Sequence, residues 1–160
     1  MKRTLNKGEA ALEPDSLEDG RFLSDEWLSK NGALIEINIC AASWDITLID
    51  DLRTRGPAML DHISARLSLD PQRVSVFLCS DENMRAINRM HRGFDETTNV
   101  LSFPAGDDLY WFGDLAVKEI TIGDLAIAAE TVLREASRRG IAAGDHLLHL
   151  FPHGVLHLLG

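Results

Sequence analysis

The sequence predicts an α+β domain with a mixed four-stranded β-sheet flanked by helices. The chain has 160 residues, which is enough for one domain with a sizeable core. Hydrophobic residues make up 45% and charged residues 26%, as in ordinary soluble globular proteins. Segments typical of strands and helices follow one another without a strict βαβ repeat, and this irregular order favours a mixed sheet.

Four short segments have the composition of β-strands. They are rich in Ile, Val, Leu and Phe, and polar or turn-forming residues bound them. The predicted strands span residues 33–40, 74–78, 99–103 and 123–128. Pro104 directly follows the third segment and is expected to end that strand.

Four other segments have apolar residues at helical spacing. The predicted helices begin near residue 58, begin near residue 80, span residues 129–139 and span residues 144–159. Gly56-Pro57 interrupts the apolar spacing before the first helix, and Pro57 suits its first turn. Ser80 or Asp81 can cap the second helix, and Gly140 is expected to end the third.

The N-terminal part of the chain differs from the rest. Residues 1–31 are polar and acidic, and Gly8, Pro14 and Gly20 interrupt them. We interpret them as a disordered extension, with at most a short helix near residues 23–29. Residues 32–160 are expected to form the folded domain, in which residues 105–122 form a loop.

The charge distribution bears on the class of partner. The formal net charge is −9, which by itself argues against a nucleic-acid partner. Residues 1–51 hold 11 acidic and 5 basic side chains, whereas residues 52–160 hold 14 and 11. Because most of the excess acidity lies in the first third, a site elsewhere can still be locally positive. No apolar run approaches the ~20 residues that span a bilayer, so no membrane contact is expected, and a cytoplasmic location is predicted.

Three histidines of the last predicted helix are spaced four residues apart: His149, His153 and His157. On a helix they form one stripe, and adjacent members lie close enough to bind one metal ion. His149 and His157 are roughly 12 Å apart along the helix axis and cannot share an ion. At most one adjacent pair, either His149 with His153 or His153 with His157, therefore serves a given metal ion, and zinc needs a third ligand from elsewhere.

An isolated pair of this kind is often only a surface feature of a helix. Gly154, which follows His153, favours the functional interpretation because it allows a strand or a substrate to approach closely. A zinc protease would have glutamate at this position as its general base, so a protease is disfavoured.

Three blocks of the sequence are distinctive. The histidine block reads His-Gly-Val-Leu-His-Leu-Leu-Gly and ends at Gly160. A central block runs from Arg92 through Thr-Thr-Asn-Val-Leu-Ser-Phe to Pro104, and a third begins Gly123-Asp-Leu-Ala-Ile. Together these blocks resemble the YbeY family (UPF0054) of single-strand-specific endoribonucleases that mature ribosomal RNA. The resemblance covers roughly residues 33–160 and keeps the order and spacing of the blocks.

The resemblance implies a zincin-like metal-dependent hydrolase fold, with one Zn²⁺ per chain. His153 and His157 correspond to two of three zinc ligands. The third would be a histidine six residues after His157, beyond Gly160, so the domain is expected to be incomplete at its C-terminus. Ribosomal RNA and the small ribosomal subunit are the implied partners.

Arg92 is the candidate catalytic residue. Charge develops on the phosphate during hydrolysis, and a guanidinium binds phosphate through two parallel hydrogen bonds. The sequence leaves open whether water or the RNA 2′-hydroxyl attacks.

Other residues of this region are candidates for substrate binding. Arg85, Arg89 and Arg92 share one helical face, which could follow an RNA backbone, although an ion-paired surface explains Arg85 and Arg89 equally well. We predict that Arg89, Asn99 and Ser102 bind substrate. Glu130 and Glu135 are interpreted as structural.

Two features of the chain leave alternatives open. Pro152 lies where the family usually has an aliphatic residue, so the last helix either kinks there or begins anew. Without the third ligand, the chain could be a catalytically inert RNA- or ribosome-binding remnant. A zinc hydrolase with another substrate is a third possibility.

Overall fold

The computed structural model describes residues 3–4, 22–105 and 121–160 of the chain. Its centre is a six-stranded mixed sheet of order β1-β2-β3-β4-β6-β5. The strands are β1 Arg3–Thr4, β2 Phe22–Leu28, β3 Leu34–Cys40, β4 Arg73–Cys79, β5 Val100–Pro104 and β6 Gly123–Ala128. Adjacent strands are parallel except in the β2–β3 and β5–β6 pairs, which are antiparallel. The mixed sheet and its four predicted strands are confirmed, and β1 and β2 are additional.

Strand β2 contradicts the helix that the sequence predicts near residues 23–29. Leu23 and Trp27 are 2% and 5% exposed, whereas Ser24 and Glu26 are less buried. This alternation fits a half-buried strand, and β2 pairs with β3 along its whole length. The sheet therefore begins before residue 32. The remainder of the predicted extension, residues 5–21, lies outside the described residues, as does most of the predicted loop at 105–122.

Four helices flank the sheet: α1 Ile46–Arg66, α2 Asp81–Arg92, α3 Ala129–Arg139 and α4 Ala143–Leu159. Side chains of β4 alternate between its two faces. Val74, Val76 and Leu78 belong to the larger core, with residues of α1, α3 and α4, whereas Phe77 and Cys79 join the smaller core beneath α2. The predicted helices exist, and no helix in the described part of the chain is long and apolar enough to cross a membrane.

Helix α1 starts earlier than the sequence predicts. It begins at Ile46, where the Asp45 carboxylate accepts a hydrogen bond from Thr47 N at 2.8 Å, and it continues through Gly56-Pro57. A β-carbon added at Gly56 would lie 3.0 Å from Ile35 Cδ1, so the helix approaches β3 closely there. The interpretation of Gly56-Pro57 as a helix start was wrong because packing against the sheet outweighs the local penalty of proline.

Helix α4 likewise runs through Pro152 without a break. A second helix beginning at Pro152 is therefore excluded. An interior proline costs roughly 3 kcal/mol. Leu147, Phe151 and Val155 of α4 are completely buried, and each such side chain contributes about 1.5–3 kcal/mol on burial, which together outweighs that cost.

Helix α2 has well-formed ends that fix its position. The Ser80 hydroxyl accepts a hydrogen bond from Asn83 N at 3.1 Å, and the Asn83 side chain accepts from Ser80 N in return. At the other end, Gly93 adopts a left-handed conformation with φ of 75°. Arg92 is the last residue of the helix, so these caps determine where its side chain begins.

We expect Ser80→Ala to lower the free energy of unfolding by about 1 kcal/mol, because it removes the N-cap of α2. The matched control is Ser137→Ala on the exposed surface of α3, which should leave stability unchanged or raise it slightly through helix propensity. Urea denaturation followed by circular dichroism measures both values. Equal stabilities for the two variants would contradict the role assigned to Ser80.

Candidate metal centre and adjoining cleft

The exposed side chains of His153 and His157 face each other on α4. Their Nε2 atoms are 3.1 Å apart, and the two rings meet edge to face with centroids 4.6 Å apart. His149 instead stacks almost parallel to His153, with centroids 6.4 Å apart. Of the two pairs that the sequence left open, His153 with His157 has its ring nitrogens converging.

This geometry fits two ligands of one zinc ion. Zinc–nitrogen bonds of about 2.0–2.1 Å at a tetrahedral angle place two ligand nitrogens about 3.3 Å apart. The observed 3.1 Å needs only a small outward rotation of the rings. Within residues 3–4, 22–105 and 121–160, no third His, Cys, Asp or Glu completes such a group.

Close packing holds this part of α4 against the sheet. A β-carbon on Gly154 would lie 2.9 Å from Leu125 Cδ2 and 3.2 Å from Val100 Cγ2, so only glycine fits without displacement. The Ser102 hydroxyl also donates a hydrogen bond to the Gly154 carbonyl oxygen at 3.1 Å. The close approach expected at Gly154 is therefore present, and the neighbour is the sheet.

A cleft of about 600 Å³ opens beside the histidine pair. Strand β5, at the edge of the described sheet, forms one wall, and the end of α2 forms another. The polar and aromatic side chains that line it are His91, Arg92, Asn99, Ser102, Phe103, His153 and His157. The fold therefore brings together five of the six residues predicted for the site, which come from three separate segments.

Arg89, the sixth predicted residue, is exposed on α2 but does not line this cleft. Arg85 forms two hydrogen bonds of 2.9 Å to the Asp95 carboxylate. These bonds lower the pKa of Asp95, and Arg89 lies near enough to add to the effect. The ion-paired interpretation thus applies to Arg85, and substrate binding by Arg89 stays a prediction.

Ser102 and Asn99 line the cleft but already have partners within the protein. A phosphate needs donors, and the single hydroxyl proton of Ser102 is used by Gly154. The Asn99 amide donates to Glu135 at 3.0 Å, and its oxygen accepts from Val100 N at 2.7 Å. Direct substrate binding by either residue is untested.

Glu135 links the cleft to the interior of the domain. Its Oε2 lies 2.7 Å from Nε2 of His146, a residue that is 2% exposed. Burial acts to raise the pKa of Glu135, but the hydrogen bonds from Asn99 and His146 and the charge of Arg139 outweigh burial and lower that pKa. Glu135 therefore remains a carboxylate that orients Asn99. Glu130 accepts a hydrogen bond from Asp81 N at 2.7 Å, which agrees with the structural role predicted for both glutamates.

Sequence reasoning missed two contributors to this region. His91 lines the cleft and contacts Phe103 edge to face with ring centroids 5.2 Å apart. The Asn99–Glu135–His146 chain was missed because its members lie on different elements. The adjacency of His91 to Arg92 was the one available signal.

Comparisons with known proteins identify similar sequences and a similar fold. A family model described as Endoribonuclease YbeY matches residues 39–160. A protein of Rhodospirillum rubrum with the same name is 48% identical over 90 residues, which cover 56% of this chain and 44% of that protein. One from Methylocella silvestris is 37% identical over 130 residues, covering 79% and 69%.

Among solved structures, the solution structure of TM1509 from Thermotoga maritima matches with a TM-score of 0.51. It covers 79% of this chain and 72% of that one at 23% identity, which supports the fold alone. The chain spans about half the length of several curated relatives it matches.

Fold and cleft together define an α+β domain with a candidate metal centre built on one helix. The family match covers most of the chain, and residues of the central block and of the histidine block line the cleft. The chain therefore belongs to the YbeY family.

We predict that Glu135→Gln lowers the melting temperature at neutral pH, because it removes the charge that Asn99 and His146 stabilise. A carboxyl whose folded pKa is lowered stabilises the protein above its unfolded pKa, and this contribution is lost as the pH falls through the folded value. The difference in melting temperature between wild type and variant should therefore narrow as the pH falls below the ordinary value of 4.5.

Thermal unfolding between about pH 7 and about pH 3 tests this prediction. Glu96→Gln, which removes an exposed carboxylate from a loop, is the matched control. A difference that stays constant over this range would contradict the charge-based role of Glu135.

Proposed function

We propose that this protein is a zinc-dependent, single-strand-specific endoribonuclease that acts in ribosomal RNA processing. The observation on which the proposal rests is the convergence of His153, His157 and Arg92 on one open cleft. The names of the relatives, Endoribonuclease YbeY, support RNA as the substrate. Ribosomal RNA, the small ribosomal subunit, a cytoplasmic location and a zincin-like class of fold are parts of the same proposal.

His153 and His157 would hold the zinc ion through their converging Nε2 atoms. When bound, zinc supplies a Lewis acid that polarises a phosphoryl oxygen. A third ligand must come from outside the described residues, since none of those completes the group. His149 lies one turn before His153, with its ring almost parallel and its centroid 6.4 Å away.

Arg92 supplies the positive charge for the scissile phosphate. It is exposed, and within the described residues no hydrogen bond or ion pair engages its guanidinium. The guanidinium is therefore available to form two parallel hydrogen bonds with a phosphate. Arg85 lies on the same helix, but its guanidinium is already ion-paired with the Asp95 carboxylate.

One observation favours a second candidate function. Because the described residues provide two metal ligands and not three, the domain could bind RNA without cutting it. The unpaired Arg92 and the open cleft would then remain as a binding surface.

Cleavage of single-stranded RNA by the metal-washed chain, with and without added Zn²⁺, tests the two candidates. Arg92→Ala should lower kcat by about 10²–10³-fold, as for loss of one group that stabilises transition-state charge. Arg92→Lys should recover only part of this loss, because an ammonium lacks the paired geometry. Arg66→Ala, an exposed arginine in the last turn of α1, is the control and should cut like wild type.

Zinc-dependent cleavage that Arg92→Ala leaves unchanged would contradict the role of Arg92. Salt-sensitive RNA binding without any cleavage in the presence of zinc would favour the inert binding domain. Failure to bind or cut RNA would overturn both candidates.

A further inference from the structure

A second cavity, of about 400 Å³, adjoins the cleft beside the histidine pair. Asn99 and His153 line both spaces, so the two meet at these side chains. The second cavity lies between α3 and α4. The charged side chains that line it are Glu135, Arg138 and Arg139. None of the three sequence blocks that define the family resemblance contains Arg138 or Arg139.

The two arginines of this cavity are available for a ligand. Arg138 and Arg139 are exposed in the last turn of α3, and no hydrogen bond or ion pair in the described part of the chain engages either guanidinium. Arg134, one turn earlier, is instead held by the Asp81 carboxylate at 2.8 Å. Cations at a helix C-terminus also interact favourably with its dipole, but that effect does not require them to line a cavity.

Glu135 does not make this cavity repel anions. Asn99 and His146 already hydrogen-bond to its carboxylate, and two arginines line the same cavity. With histidines counted as neutral, the two arginines and this one carboxylate leave the lining with a formal charge of +1. The lining thus combines two guanidinium groups that no hydrogen bond among the described residues engages with the exposed His149 ring.

We propose that this second cavity is an RNA-binding subsite, in which Arg138 and Arg139 bind a phosphate next to the one held at Arg92. The inference rests on the proposed function, because it assumes a nucleic-acid strand in the first cleft. A single strand would then pass over Asn99 and His153 from one cavity into the other. Glu135 would hold Asn99 at the crossing point.

Such a subsite has a physical consequence for a polymeric substrate. A phosphate bound at the subsite is not at the reacting centre, so its binding energy serves to position the RNA strand. Each phosphate contact also contributes to the salt dependence of affinity, by about 0.7 in the logarithmic slope for single strands.

The test is binding of a fluorescently labelled single-stranded RNA of about ten nucleotides to the full chain, with a chelator present to prevent cleavage. Arg138→Gln with Arg139→Gln should weaken binding about tenfold or more and reduce the logarithmic salt slope by about 0.7, the share of one phosphate contact. Arg138→Lys with Arg139→Lys keeps the charges and should retain most of the affinity and the slope. The matched control, Arg55→Gln with Arg66→Gln on exposed positions of α1, removes the same charge elsewhere.

If the Arg138/Arg139 glutamine variant binds the RNA as tightly as the wild-type chain, the subsite is overturned while RNA binding itself stands. Equal weakening in both variants would show a non-specific charge effect and also overturn it. If the wild-type chain does not bind the RNA, the proposed function fails and the subsite fails with it. Equal melting temperatures of the variants show that a change in affinity reflects the binding surface.

Discussion

The contact between Gly154 of α4 and the sheet is the constraint on which the candidate site depends. At this point the helix lies so close to Leu125 and Val100 that a β-carbon would approach them to 2.9 and 3.2 Å. The hydrogen bond from Ser102 to the Gly154 carbonyl fixes the same turn of the helix to the edge strand. His153 precedes Gly154 directly and His157 follows one turn later, so this contact sets the position of both imidazoles relative to the cleft. The burial of α4 that accompanies this packing also explains why the helix continues through Pro152.

Around this anchored helix, the charged side chains fall into two groups. Arg85, Arg134 and Glu135 are engaged by partners within the protein. Arg92, Arg138 and Arg139 line the two adjoining cavities, and nothing among the described residues pairs with them. An acidic protein, with a formal net charge of −9, thus presents unpaired cations beside its histidine pair. This arrangement suits a polyanionic substrate, since salt screens the long-range repulsion by the whole molecule more strongly than it weakens contacts at short range.

The features that could be predicted from the sequence are those that depend on the composition and residue spacing within one segment. The apolar segments of β3, β4, β5 and β6 lie where the composition predicted them. The i, i+4 spacing left two histidine pairs open, and the family resemblance selected His153 and His157, whose Nε2 atoms converge. Strand β2 was missed because its two buried apolar residues, Leu23 and Trp27, are too few to indicate a strand. The strand is stabilised by its pairing with β3, which the local sequence does not show. The early start of α1 was missed because the sequence does not reveal that Gly56 packs against Ile35. Contacts such as Glu135 with Asn99, and the position of Arg138 and Arg139 in a cavity, depend on the packing of α3 against α4. No spacing rule within one segment reports such contacts.

We propose that His153 and His157, and not His149, form the metal-binding pair of this domain. The most direct measurement is nuclear magnetic resonance of the ¹⁵N-labelled histidine side chains of the metal-washed chain during titration with Zn²⁺. The account predicts that the Nε2 resonances of His153 and His157 shift together, while those of His62 on α1 and of buried His146 stay in place. Joint shifts of His149 and His153, or no shift of His157 at saturating zinc, would contradict the claim.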